Sequence, residues 1–126
     1  MGNSPRAAIT GFGSAVPKRI MKNSEFTEFL DTSDEWIAKR TGIRERHLVS
    51  DGETTGTLGI EAARKALENA NVKPEDLDLI ICATVSPEMP FPSTACFIQA
   101  GIGATDVPAF DISAACSSFG LPYQLR

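Results

Sequence analysis

Asp111-Ile112-Ser113-Ala114-Ala115-Cys116-Ser117-Ser118-Phe119 is the stretch on which the reading of this chain turns. A short apolar run precedes it over residues 107–110. That run reads as a buried strand, suited to a parallel sheet covered on both faces. The small residues that follow let the backbone turn sharply. The serines suit the first turn of a helix, where free N–H groups need acceptors. The pattern therefore predicts that Cys116 sits where a strand hands over to a buried helix. A thiol there feels the positive end of the helix dipole, which favours thiolate. Backbone N–H groups aimed at anything bound to the sulfur would stabilise an oxyanion. A blander reading stands beside this one, because free cysteine is among the most buried residue types and Cys116 would serve equally as core filler.

The totals narrow the field. With 126 residues the chain is long enough for one modest domain. Its net charge is −4 and it has no long basic run, which argues against a nucleic-acid partner. No apolar stretch approaches the roughly 18 residues that cross a bilayer, so no membrane partner is expected. The N-terminus lacks a signal peptide's apolar core. Arg6 stands where an N-myristoylation signal requires Ser or Thr. Cys82, Cys96 and Cys116 form an odd set with no CxxC pair. That argues against a disulfide framework or a metal site and fits a reducing, cytoplasmic setting.

Outward from the cysteine, a second continuous apolar run at residues 77–85 predicts another buried strand, with Cys82 in its interior. Residues 86–93 carry Pro87, Pro90 and Pro92 around Phe91 and read as a rigid loop presenting an aromatic ring. Ser93 or Thr94 then caps a helix over residues 95–100, with Cys96 in the core. A longer helix follows residues 52–55 and runs through about Asn69, with a small-residue face at Leu58, Ala62, Ala63, Ala66 and Leu67. Residues 7–14, broken by Gly11 and Gly13, read as a first buried strand needing close backbone approach. The third glycine of a dinucleotide-binding loop is missing there.

Between these lie two short predicted helices and a charged arm. Asn23 is the expected N-cap of a helix over residues 23–30, with Phe26, Phe29 and Leu30 on one face. Thr32 with Glu35 makes a capping-box pattern for the next helix, which Gly42 ends. On that helix Trp36 and Arg40 stand four apart and share a face. A flat ring beside a fixed cation suits a nucleotide, base on ring and phosphate on guanidinium. It equally suits a cation–π pair that holds a surface helix on the core. Residues 43–49 read as an exposed hairpin arm or loop, with His47 solvated. Strands alternating with helices predict an α/β fold with right-handed crossovers, in which function gathers at the carboxyl ends of strands. Cys116 lies at such an end.

Several of these stretches together carry a family resemblance. Thr32-Ser33-Asp34-Glu35-Trp36-Ile37 with Arg40-Thr41-Gly42-Ile43-Arg44-Glu45-Arg46-His47 resembles the N-terminal signature of the β-ketoacyl-acyl-carrier-protein synthase III family. Phe91-Pro92-Ser93-Thr94-Ala95-Cys96 and Asp111-Ile112-Ser113-Ala114-Ala115-Cys116 resemble it too. The resemblance runs from about Ala7 to Phe119 and implies the N-terminal half of a thiolase-like α/β fold, a mainly parallel mixed sheet with helices on both faces. It implies an acyltransferase of fatty-acid initiation, needing no cofactor. Cys116 matches the nucleophile that takes an acyl group, with acetyl expected, from acyl-CoA. Malonyl-acyl-carrier protein then loses carbon dioxide and attacks the thioester. Trp36 matches the residue that stacks on the adenine of CoA, and Thr32 and Arg40 match its neighbours. Phe91 matches the aromatic that crosses a homodimer interface and lines the partner's acyl pocket.

The departures shape the expectations equally. Members of the family are far longer, and the histidine and asparagine of the condensation step match nothing in this chain. Ser118 stands where the family usually has glycine, which is expected to crowd the helix start. The match fails from Gly120, and residues 120–126 read as an atypical, wrongly terminated tail. Pro122 there falls in an expected helix, at a cost of about 3 kcal/mol. The chain as given is therefore expected to be incomplete and inactive in condensation. The alternative is a non-catalytic acyl-CoA-binding or interaction fragment, or a truncated gene-model product.

Overall fold

The computed structural model describes residues 8–120. Residues 121–126 of the tail expected at 120–126 lie outside the described residues, as does Ala7. The element order is β1 (Arg19–Lys22), α1 (Asn23–Phe26), α2 (Asp34–Thr41), β2 (Glu45–Leu48), α3 (Thr55–Ala70), β3 (Ile80–Ala83), α4 (Thr94–Ile102) and β4 (Ala109–Ile112). Single 3-10 turns follow α3 at Pro74–Asp76 and β4 at Ala115–Phe119. These elements fall into two units, residues 8–15 with 54–120, and residues 16–53.

In the larger unit β3 and β4 pair in parallel, with Ile80 opposite Ala109 and Cys82 opposite Asp111. The sequence places the second of these strands at residues 107–110, but the ladder begins at Ala109. Pro108 has no N–H and contributes only its carbonyl, which accepts Ile80 N–H at 2.9 Å. Helix α4 connects the two strands and packs on both, and Ala95, Ile98, Ala104 and Val107 are buried. The strands are less covered than their continuous apolarity predicts. Ile80, Ile81 and Cys82 are half-buried, and Phe110 is 42% exposed.

Helix α3 is capped by Thr54, whose hydroxyl accepts Thr57 N–H at 3.1 Å, and ends at Asn71 in the left-handed region. It meets α4 through reciprocal notches. Gly59 lies under Ile98 and Gly101 under Ile60, each so close that a Cβ would collide with the isoleucine. The small face of α3 takes the N-terminal segment. A Cβ at Gly11 or Gly13 would strike Ala70, Ala66 or Ala62 of α3. The close approach expected of residues 7–14 is thus present, but the described part forms no strand. Its polar groups are met by side chains of α3 instead of a ladder. Phe12 N–H reaches Asn69 Oδ1 at 3.2 Å, and Lys65 Nζ reaches the Ser14 carbonyl at 3.0 Å.

The smaller unit is built on β1 and β2, an antiparallel pair with Arg19 opposite Leu48 and Lys22 opposite Glu45. The expected arm is therefore one strand of a pair whose partner the sequence did not reveal. The expected helix over residues 23–30 is cut to Asn23–Phe26, and Asn23 is not its cap. Asn23 is 1% exposed and its amide is committed elsewhere. It donates to Asp34 Oδ1 at 2.7 Å and to the Ile43 carbonyl at 2.8 Å, and accepts from Arg46 at 2.6 Å. At the start of α2 the cap is Ser33, not Thr32. Its hydroxyl accepts Trp36 N–H at 3.1 Å, and Gly42 closes the helix with φ 72° as expected.

Candidate active site

Cys116 follows the carboxyl end of β4, in the turn Ala115–Phe119, and its side chain is exposed. The reading as buried core filler is thereby removed. The buried helix expected after it is not there among the described residues. Only a five-residue 3-10 turn follows, too short to present a helix dipole to the sulfur. What marks the cysteine is the backbone before it. Ala115 has φ 46°, a left-handed conformation that a residue with a Cβ rarely adopts. Such strain costs on the order of 1–3 kcal/mol and concentrates where a side chain must be aimed. The turn is held by Ser117 N–H on the Ala114 carbonyl at 3.1 Å and by Ser118. Ser118 does not crowd the turn. It is 2% exposed, and its hydroxyl accepts Ala114 N–H at 2.8 Å, which ties the residues flanking Cys116 together.

Two carboxylates that the sequence reading passed over secure this region. Asp111, five residues before the cysteine, accepts Thr94 N–H and Ala95 N–H, each at 2.8 Å. Of the two expected caps, Ser93 and Thr94, Ser93 takes the N-cap position of α4, but its side chain makes no capping bond. A carboxylate from the neighbouring strand therefore caps the helix, and its charge suits the positive helix end. The same carboxylate faces inward on Cys82. Burial first, then the charge of Asp111, pushes the Cys82 thiol above its ordinary value of 9.0. Cys96 packs against the Ser93 hydroxyl at 3.2 Å. Asp111 carried a signal in its place at a strand end before a helix-capping cysteine motif, but only the strand register puts it beside Thr94.

Phe91 stands on the proline-rich loop between β3 and α4 and is 86% exposed. The Phe91–Pro92 peptide is cis. The second carboxylate, Glu88, lies on the same loop.

Thr32, Trp36 and Arg40 belong to the smaller unit. The Arg40 guanidinium lies over the Trp36 ring, 4.0 Å from its centroid, and the indole is 53% exposed. Thr32 and Trp36 line one open cavity of about 410 Å³ with Phe26, Leu30, Ile37 and Arg46. The Thr32 hydroxyl is buried and has no hydrogen-bond partner among the described residues. His47 Nδ1–H donates to the Pro17 carbonyl at 2.6 Å, a local strand-end contact. Among the described residues no three His, Cys, Asp or Glu side chains converge on a metal-sized site.

No family model matches the chain. Individual proteins do. The chain is 54% identical over 113 residues to β-ketoacyl-acyl-carrier-protein synthase III of Caldanaerobacter subterraneus, a match covering 90% of this chain and 34% of that protein. The Brucella melitensis enzyme of the same name is 53% identical over 114 residues, covering 90% and 35%. Among solved structures, 3-oxoacyl-acyl-carrier-protein synthase III from Aquifex aeolicus superposes with a TM-score of 0.86 at 50% identity, covering 90% of this chain and 36% of that one.

This chain matches one third of a β-ketoacyl-acyl-carrier-protein synthase III.

The priming β-ketosynthase of the R1128 polyketide pathway gives the same TM-score, 0.86, at 37% identity. The fold is accordingly thiolase-like, and the resemblance drawn from the motifs holds across nine-tenths of the chain. The chain spans about a third of the length of the synthase III relatives it matches. No helix among the described residues is long and apolar enough to cross a membrane.

Proposed function

We propose that this chain is the cysteine-bearing part of a condensing acyltransferase of fatty-acid initiation. The observation that carries the reading is Cys116, exposed at the carboxyl end of β4 on a turn strained at Ala115. The Cys116 thiolate attacks the thioester carbonyl of an acyl-CoA, acetyl-CoA first among them. A tetrahedral oxyanion forms and collapses, the CoA thiolate leaves, and the acyl group stays on sulfur. In the second step malonyl-acyl-carrier protein loses carbon dioxide, and its carbanion attacks the acyl-cysteine carbonyl and expels the Cys116 thiolate.

Trp36 serves as the adenine platform and Arg40 as a partner of the CoA phosphates. The half-exposed indole supports this against a purely structural pair, since a ring that held α2 on a core would be covered. The orphan Thr32 hydroxyl supports a ligand in the same cavity. Phe91, bare on a proline-rich loop, suits insertion into the acyl pocket of a second subunit of a homodimer. No cofactor enters this scheme.

The test is incubation of the 126-residue chain with labelled acetyl-CoA, followed by intact mass and peptide mapping. One acetyl group on Cys116, lost in Cys116→Ala, is the expected result. Label on Cys82 or Cys96, or normal acylation of the alanine variant, overturns the reading. The histidine and asparagine of the condensation step match nothing in this chain, so the acyl-enzyme accumulates and no β-ketoacyl product forms on adding malonyl-acyl-carrier protein.

A further inference from the structure

The loop that carries Phe91 is fastened to α3 by contacts that no motif announces. Glu88 Oε1 accepts the Gly56 N–H at 2.7 Å. Gly56 lies in the first turn of α3, where an N–H has no partner within the helix and a carboxylate is favoured. Thr55, beside it, donates its hydroxyl to the Ser86 carbonyl at 3.0 Å, and Ser86 N–H donates to the Thr84 hydroxyl at 3.1 Å. At the far end of the loop, Asp111 holds the first turn of α4. Between these anchors Met89 and Phe91 stand out, at 41% and 86% exposure. A Cβ at residue 56 would come too close to Glu88 Oε1, so the carboxylate, the free end of a flexible side chain, would have to shift.

We infer that Glu88 is a positioning residue, whose bond to Gly56 sets the stance of the Met89–Phe91 tip and thereby the choice among acyl-CoA donors. The inference rests on Phe91 lining an acyl pocket. It adds that the aromatic is aimed from α3, where the Glu88 carboxylate on the Gly56 N–H holds the loop next to its tip and the Thr55 hydroxyl on the Ser86 carbonyl holds its start. Prolines restrict how the loop bends but cannot set where it sits relative to the helix; Glu88 does that for the residues next to the tip.

The contact can be removed from either side. Glu88→Ala deletes the acceptor. Gly56→Ala displaces it from its present position while favouring the helix by about 1 kcal/mol, because alanine is the better helix former. A role limited to stabilising α3 would make these two variants differ in sign, whereas a role in placing the loop makes them agree. Glu88→Gln keeps an acceptor oxygen and serves as the rescue.

The chain has seven phenylalanines, so uniform 4-fluorophenylalanine labelling gives a countable fluorine spectrum, with Phe91 assigned from Phe91→Leu. Both alanine variants are expected to move the Phe91 resonance alike, while Phe26 and Phe29 stay in place and Glu88→Gln stays with the parent. An unmoved Phe91 resonance in both alanine variants overturns the inference. In the same variants the ratio of Cys116 acylation rates with acetyl-CoA and hexanoyl-CoA is expected to change by at least about tenfold, the low end of what one methylene group is worth in an apolar pocket. A moved resonance with an unchanged ratio overturns the claim on donor choice. A parent chain that takes no acyl group sinks the functional reading alone, and the fluorine spectra still decide whether Glu88 holds the loop.

Discussion

At the scale of single residues, a few buried polar side chains join elements that lie apart in sequence. Asn23 is the clearest case, since its amide joins α1, α2 and β2 through Asp34, Ile43 and Arg46. Asn23→Ala leaves those groups partly buried and unmet. We expect a loss of about 3 kcal/mol, read as a lower urea midpoint from Trp36 fluorescence. Trp36 is the only tryptophan and lies in the same unit, so it reports that unit directly. Cys82 supplies a test of opposite chemistry. Burial and Asp111 raise its thiol in the folded state, so the unfolded chain loses its proton first as pH rises. The stabilisation from this group is complete below the ordinary value of 9.0 and is lost as pH rises through the raised value. Urea midpoints measured across that range should fall in the parent and fall less in Cys82→Ala.

At the scale of elements, the ends matter more than the bodies. Helix α4 has no charged residue in its first turn and takes its cap from another element, Asp111 of β4. Asp111→Ala removes the acceptor of two N–H groups and should cost about 2 kcal/mol. Amide exchange should speed at Thr94 and Ala95 before it does in the middle of α4. Equal protection of both in the variant would show that water replaces the carboxylate without loss. Much of this layer could be read beforehand. The small-residue face at Leu58, Ala62, Ala63, Ala66 and Leu67 placed α3, and Gly42 placed the end of α2. Residues 8–14 read as a strand because small apolar residues with glycines suit any close backbone approach, and a helix face met them first.

At the scale of the whole molecule, large apolar side chains remain open to solvent, among them Phe12, Phe29, Val85, Phe91 and Phe119. Exposed patches of this kind mark surfaces that associate. The purified 126-residue chain should bind a hydrophobic dye strongly and sediment above monomer mass as concentration rises. A monomer that leaves the dye dark would show these side chains to be scattered rather than joined. The motifs themselves named the relatives, because Cys116, Trp36, Arg40 and Phe91 sit in stretches whose order and spacing are specific. Their linear order determined the α/β alternation and the identity of the candidate nucleophile, since both rest on residue type and periodicity along the chain. Tertiary structure alone decided how the cysteine is held, by the left-handed Ala115 and the Ser118 bond, and which carboxylates anchor the flanking helices. Those features depend on strand register and loop closure between residues far apart in sequence, a geometry that no local pattern encodes.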